Sequence, residues 1–370
     1  MHRQPATGQT AYVAESTTPT VWVLGDQLDR TRGALGRYGP GECRVLMVES
    51  RALVAARRWH RQRLGLVLSA MAHFAAELRA DGFDVDHRSA PTLARGLHDH
   101  VVEFGVGRVV ASEPLSWDGR ALLDRLGVEV VRTERFLCHY EDFAEWADGR
   151  AQLKMEDFYR WQRSRLDVLM DAGPDGPEPA GGRWNFDHDN RRPPPKDGRS
   201  WPVITRFELD DIDRQVIERL PEHSVGADPD GTWPVTRAQA LVRLEEFVAS
   251  GLAPFGPHED AMLTGEWKLA HSVLSSSMNL GLLHPSEVVE AAQAAHHDGT
   301  APINSVAFSP NSESIAAEAE DSVVVWDLQA DMHQAFDTDE GIDRRDHGDA
   351  GNRRVGVWGL AFSDDGSMLL

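Results

Sequence analysis

Val21–Leu28 reads VWVLGDQL, a β-branched apolar run that breaks at Gly25-Asp26-Gln27. Near-continuous hydrophobicity without alternation marks a strand buried on both faces, as in parallel sheets. RVLMVES (Arg44–Ser50) repeats the pattern, and further strands are read at FDVDHR (Phe83–Arg88), RVVASEP (Arg108–Pro114) and VEVVRTE (Val128–Glu134). Between them, Arg58–Gly82 places Leu64, Val67, Leu68, Met71, Phe74 and Leu78 at helical spacing. Thr92–Phe104 and Gly119–Leu126 supply two more helices. This alternation predicts a doubly wound α/β domain with a five-stranded parallel sheet over 20–140.

Outward from that domain the text changes twice. Residues 1–19 are polar and expected to be disordered. Phe143–Met170 reads as a long helical stretch, and Gly173–Trp233 is rich in Pro, Gly and Asp. Together these make 141–234 a helical linker and long loop, a linker or a lid. Thr236–Leu252, Asp260–Leu282 and Pro285–Ala295 read as helices of an incomplete all-α domain over 235–305. From 306 to 370 the alternation is that of strands. SVAFSPNSESIAAEAEDSVVVWDLQ (Ser305–Gln329) is echoed by VWGLAFSDDGSMLL (Val357–Leu370), and the acidic insert Ala330–Arg354 is expected to be disordered.

A chain of 370 residues is too long for one core. No apolar run is long enough to cross a membrane, and the N-terminal text has no apolar core, so a cytoplasmic protein is expected. Two cysteines, Cys43 and Cys138, cannot by themselves build a disulfide framework, a four-thiolate zinc site or a cysteine-ligated iron–sulfur cluster. Net charge is −21 and only Lys154, Lys196 and Lys268 are lysines. So acidic a chain is a poor non-specific binder of nucleic acid. A cell of high internal salt and a GC-rich genome each account for the scarcity of lysine. The last 65 residues carry −10 of the charge and the preceding 305 carry −11.

Three strings bear chemistry. Gly25, Asp26 and Gln27 end the first strand, and Glu49 ends its neighbour. Polar groups there face the crevice where open α/β sheets bind ligands, or else form a tight turn with a capping Asp. The string His271–Asn279 holds three consecutive serines at a helix start, fit for a pyrophosphate or for a serine-rich cap. Arg183 and Trp184, within GGRWNFDHDN (Gly181–Asn190), suit base stacking and phosphate contact or simply anchor a loop. A GxGxxG fingerprint, a Walker A loop, an HExxH motif and a Ser-His-Asp triad are absent.

Seven strings in order carry a resemblance: LGDQLD (Leu24–Asp29), HRQRLGLVLSAMAHFAAELRADG (His60–Gly82), FLCHYEDFAEWA (Phe136–Ala147), MEDFYR (Met155–Arg160), GGRWNFDHDN, FGPHEDAM (Phe255–Met262) and LAHSVLSSSMNLGLLHP (Leu269–Pro285). From about Val21 to Ser305 the chain resembles the prokaryotic iron–sulfur photolyase/cryptochrome family, the deoxyribodipyrimidine-photolyase-related proteins. The resemblance implies an α/β domain with a ribityllumazine-type antenna and a helical domain with FAD, acting on damaged DNA. It places Gly25, Asp26, Gln27 and Glu49 in the antenna pocket. It sets Ser272, Leu274, Ser275, Ser276 and Asn279 at the start of the FAD diphosphate cradle, and Arg183 and Trp184 on the DNA-facing loop.

Beyond Val306 the chain departs from that family, whose enclosing helices and four cluster cysteines would follow. It resembles instead a WD-repeat protein, with one and a half propeller blades. The expectations are therefore an inactive photolyase relative without stably bound FAD, without an iron–sulfur cluster and without a catalytic or metal site. The runner-up is a chromophore-binding or protein-interaction module, with a protein partner docking on the WD-like tail. The seam falls inside a family motif rather than in a linker, which favours a fusion, a recombination scar or an assembly error at Ser305/Val306 over selected architecture.

Overall fold

The computed structural model describes residues 18–173, 176–185, 190–196, 198 and 200–297, together with four strands between 305 and 337. The chain begins β1 (Thr20–Trp22), β2 (Arg44–Ser50), α1 (Arg51–Ala55), α2 (Arg61–Ala80), β3 (Asp84–Ala90), α3 (Leu93–Phe104), β4 (Val109–Ser112), α4 (Trp117–Arg125) and β5 (Glu129–Val131). It continues with α5 (Tyr140–Ala147), α6 (Met155–Leu166), the hairpin β6 (Met170–Gly173) and β7 (Gly176–Pro179), and α7 (Asp211–Glu218). Then come α8 (Arg237–Glu246), a π-helical turn (Phe247–Gly251), α9 (Leu252–His258), α10 (Ser275–Leu280), α11 (Pro285–His297) and the strands β8 (Ser305–Phe308), β9 (Ser314–Ala319), β10 (Ser322–Asp327) and β11 (Met332–Asp337). Two compact units result: 1–134 with 209–230, and 135–208 with 231–370.

The first unit is the expected α/β domain. Its sheet runs β3-β2-β1-β4-β5, every pair parallel, with Thr20 opposite both Arg44 and Val109. β1 is shorter than the apolar run suggests. Val23 still donates to Leu46 O at 2.9 Å, but Gln27 N closes a turn on Leu24 O at 2.9 Å and takes the chain out of the ladder. Alternation sends Leu46 and Val48 to one face, where Trp22, Ala90, Leu97, Ala111 and Leu123 join them. α3 lies tight on that core. A Cβ at Gly96 would come within 2.5 Å of Val48 Cγ1. Below it, buried His100 bridges Thr20 Oγ1 (Nε2, 2.9 Å) and Asp86 Oδ2 (Nδ1, 2.6 Å).

Residues 209–230 do not behave as the linker or lid expected over 141–234. Asp210 and Asp213 form a reciprocal capping box that starts α7, which the surrounding Pro, Gly and Asp conceal at the level of composition. Val216 of this helix and Leu220 just beyond its end are then buried on Leu64 and Leu68 of α2. Each such side chain contributes about 1.5–3 kcal/mol by leaving water. The approach is close, for a Cβ on Gly65 would meet Pro229 Cγ at 2.4 Å.

In the second unit the helical stretch expected over Phe143–Met170 divides into α5 and α6. Asp148 leaves the helix with extended backbone, and Gly149 follows at φ 70°. The two helices pack through Phe143, Trp146, Phe158 and Trp161, with ring centroids 5.1–6.0 Å apart. The stretch expected to be helical over Asp260–Leu282 holds only α10. Leu269 and Val273 take left-handed backbone angles there (φ 52° each), which no continuous helix accepts. Further on, β8 to β11 form an antiparallel meander in the order β11-β10-β9-β8. β11 falls inside the insert expected to be disordered, because its backbone pairs along β10 from Ser322↔Asp337 to Asp327↔Met332. The echo string Val357–Leu370 lies outside the described residues. None of the described helices is long and apolar enough to cross a membrane.

Candidate functional site

In a sheet ordered 3-2-1-4-5 the chain reverses direction between β1 and β4, and the crevice beyond their carboxyl ends is the ligand position of open α/β folds. The structure puts all four expected antenna residues along this edge. Gly25 and Asp26 are half-buried in the turn after β1, with Met71 of α2 so near that a Cβ on Gly25 would meet its Sδ at 2.9 Å. Gln27 is 94% buried by its 6% exposure, and its Nε2 donates to Ser112 O (3.1 Å) and Glu113 O (3.2 Å) at the end of β4. Two carbonyl acceptors fix the amide orientation, since an oxygen could not take either place. Its Oε1 is consequently committed to the other side, where it is buried and has no partner among the described residues. An acceptor left so costs about 1–3 kcal/mol, which a ligand N–H or O–H recovers.

The rest of this edge is heavily bonded. Ser112 Oγ accepts from Ala34 N (2.8 Å), Glu134 accepts from Gly33 N (3.2 Å), and buried Glu113 accepts from Thr133 N (3.3 Å). Glu49 is engaged differently from the expectation. Both its oxygens bind the Arg219 guanidinium, with Nη2 to Oε1 at 2.8 Å, and His87 Nε2 stands 3.0 Å from Oε1. Burial pushes the Glu49 carboxyl up, but Arg219 and His87 outweigh it and hold the group at about 2. At neutral pH it is an anion held by protein groups. Arg219 and His87 escape a sequence reading because Arg219 lies 170 residues away and His87 on a neighbouring strand.

The residues expected at the diphosphate lie in the second unit around α10. Leu274 is wholly buried, Ser275 and Asn279 are exposed, and Ser272 Oγ reaches Leu274 N at 3.5 Å. Two hydroxyls here, Ser276 Oγ and Ser277 Oγ, are buried and have no hydrogen-bond partner among the described residues, and α10 starts without a side-chain cap. Ser277 was not among the expected residues. A pair of unfilled hydroxyls suits an oxygen-rich group such as a diphosphate. At the helix end, Arg135 Nη2 donates to Asn279 O at 2.9 Å.

Trp184 and Arg183 are not equivalent. Arg183 is exposed, while Trp184 is half-buried with the guanidinium carbons of Arg160 and Arg163 at 5.6 and 5.5 Å from its ring. Arg163 also donates to Trp184 O at 2.9 Å, and Asn185 donates to Glu156 at 3.0 Å. This ring anchors its loop on α6. Residues 186–189 of the same string lie outside the described residues.

Comparison with known proteins bears on about three quarters of the chain. The family model for deoxyribodipyrimidine photo-lyase-related proteins matches residues 21–228, more than half of it. A (6-4) photolyase of Agrobacterium fabrum is 35% identical over 301 residues, covering 77% of this chain and 58% of that protein. A crystal structure of a bacterial class III photolyase from Agrobacterium tumefaciens is similar at TM-score 0.47 and 18% identity, covering 76% of this chain and 54% of that one. The chain thus spans little more than half the length of each.

Proposed function

This chain belongs to the deoxyribodipyrimidine photo-lyase-related family, and from that premise we propose that it is a photolyase-derived protein whose α/β unit holds a heteroaromatic chromophore but which does not repair DNA in the light. The observation that carries the first half is Gln27: an oriented, buried amide oxygen without a partner among the described residues, at the switch point of the sheet. A ribityllumazine-type ring offers both the flat apolar body and the donor hydrogens that such a place takes. Gly25 supplies the close approach under Met71, Asp26 the polar rim, and Glu49 a fixed negative charge that Arg219 keeps in place.

FAD is the family's other group. The residues that fit its diphosphate are Ser272, Ser275, Ser276 and Asn279, with Ser277 added by its free hydroxyl and Leu274 as the buried floor. When bound in the family, reduced flavin supplies the light-driven electron for a damaged base. Here the chain beyond Ser305 turns into an antiparallel meander where the family continues with the helices that enclose that ring, which favours weak or absent flavin retention. The two cysteines do not furnish four cluster thiolates. Four antiparallel strands in sequence order are also the unit of a propeller blade, so the tail suits docking on a protein that supplies neighbouring blades, in line with a fused WD-like segment.

Two measurements on the full chain test this reading. Titration with a ribityllumazine should change its fluorescence at one site per chain, and Gln27→Leu should weaken binding by about fivefold to tenfold, the worth of one buried hydrogen bond. Blue light with lesion-bearing oligonucleotide should give no repair. Unchanged fluorescence in folded protein removes the chromophore reading, and photorepair removes the claim of inactivity.

A further inference from the structure

Away from that crevice, α2 and the returning helix α7 bring three metal-ligating groups together. Buried His73 of α2 turns its Nε2 between two carboxylates at the head of α7, 3.2 Å from Asp213 Oδ1 and 3.6 Å from Asp210 Oδ1. All three donor atoms lie within 4.8 Å of one another. We propose that His73, Asp210 and Asp213 form a binding site for a zinc-like divalent cation that clips α7 to α2.

The spacing is that of ligands rather than of a simple pair. A tetrahedral ion with bonds of about 2.0–2.1 Å to N and O sets its donors about 3.3–3.4 Å apart, and the two observed separations bracket that edge. The imidazole meets the hydrogen-bond geometry with only one of the two carboxylates it faces. Charge points the same way. Two aspartates facing one neutral imidazole leave −2, which a dication cancels and a single imidazolium does not. Glu77 stands one turn further along α2 and adds negative potential, with Asp81 and Arg30 beyond it.

The site is also held in shape before any ion arrives. Asp213 Oδ2 accepts from Asp210 N (3.2 Å), and Asp210 Oδ1 accepts from Ile212 N (2.8 Å) and Asp213 N (3.0 Å). Outer bonds of this kind orient ligating carboxylates. The Asp213 side chain is 4% exposed and that of Asp210 54%, so the fourth position opens to solvent through Asp210. One nitrogen and two oxygen donors suit Zn²⁺ or Co²⁺ better than Mg²⁺ or Ca²⁺, which favour all-oxygen shells.

The test uses the full chain, stripped with a chelator and titrated with ZnCl₂ by calorimetry, with thermal unfolding alongside. One ion per chain should bind and raise the unfolding temperature, and Co²⁺ in its place should give the visible bands of a tetrahedral centre. His73→Gln and Asp213→Asn should each weaken binding by more than about tenfold. Asp210→Asn keeps a competent helix cap and should weaken binding while the protein stays folded. Zinc binding that survives His73→Gln places the ion on other histidines and overturns the assignment. So does stability that varies with pH but not with zinc, the behaviour of a bare His–Asp ion pair.

Discussion

Removing Arg219 and neutralising Glu49 should each cost several kcal/mol, because the two make one ion pair around a buried carboxylate. The Glu49 side chain is 7% exposed and that of Arg219 43%. In Glu49→Gln the freed guanidinium turns to water, but the ionised carboxyl that the fold favours is gone, and the loss is about 3 kcal/mol. In Arg219→Met a buried carboxylate keeps only His87. Loss of one partner of such a pair costs about 3–5 kcal/mol. The carboxyl leads to a similar figure: it is lowered from 4.5 to about 2, which corresponds to about 3 kcal/mol of stability at neutral pH. A depressed carboxyl contributes fully above its unfolded value and loses that contribution as pH falls toward its folded one. The Arg219→Met penalty should therefore be complete at pH 7 and fall to roughly half by pH 3. Amide hydrogen exchange at Leu46–Val48 in β2, read with urea titration at both pH values, follows the first unit by itself. A penalty below about 1 kcal/mol for either variant, or one indifferent to pH, would refute this account of Glu49.

Glu245 behaves in the opposite sense. Burial, then the neighbouring Glu246, raises its carboxyl to about 7, so its ionisation should destabilise the fold progressively from pH ~4.5 to 7, and Glu245→Gln should flatten that slope in thermal unfolding. Gly96→Ala should cost about 1–3 kcal/mol by forcing α3 off Val48, measurable as a lower urea midpoint. Cys43 is buried, and burial together with Glu42 raises its thiol to about 11. A thiol reagent should leave it untouched until the protein unfolds, and fast labelling of the native chain would contradict the buried position.

What the sequence disclosed, it disclosed through periodicity. The apolar runs at Val21, Arg44, Arg108 and Val128 are strands, and Leu64 to Leu78 mark the buried face of α2, because both-face and one-face burial each leave a regular print. The return helix left almost none. Two turns that bury little more than Val216 and Leu220 sit within a Pro-, Gly- and Asp-rich passage, and only the Asp210–Asp213 box announces them. The helical reading of Asp260–Leu282 failed for the converse reason. Its apolar residues are spaced acceptably, yet left-handed backbone at Leu269 and Val273 breaks the run. At the crevice, Gln27 and Glu49 could be named from strand ends alone. Their partners could not, since Ser112 and Arg219 arrive from 85 and 170 residues away.

Because Leu209–Asp230 completes the first unit, the order of synthesis matters to it. A nascent chain that has emerged as far as β5 still exposes Leu64 and Leu68 on α2 and waits for a distant stretch to cover them. A fragment cut near residue 137 would carry that sticky stripe permanently and should be prone to self-association. Adding the return segment through a short tether would be the natural way to make the isolated α/β unit soluble.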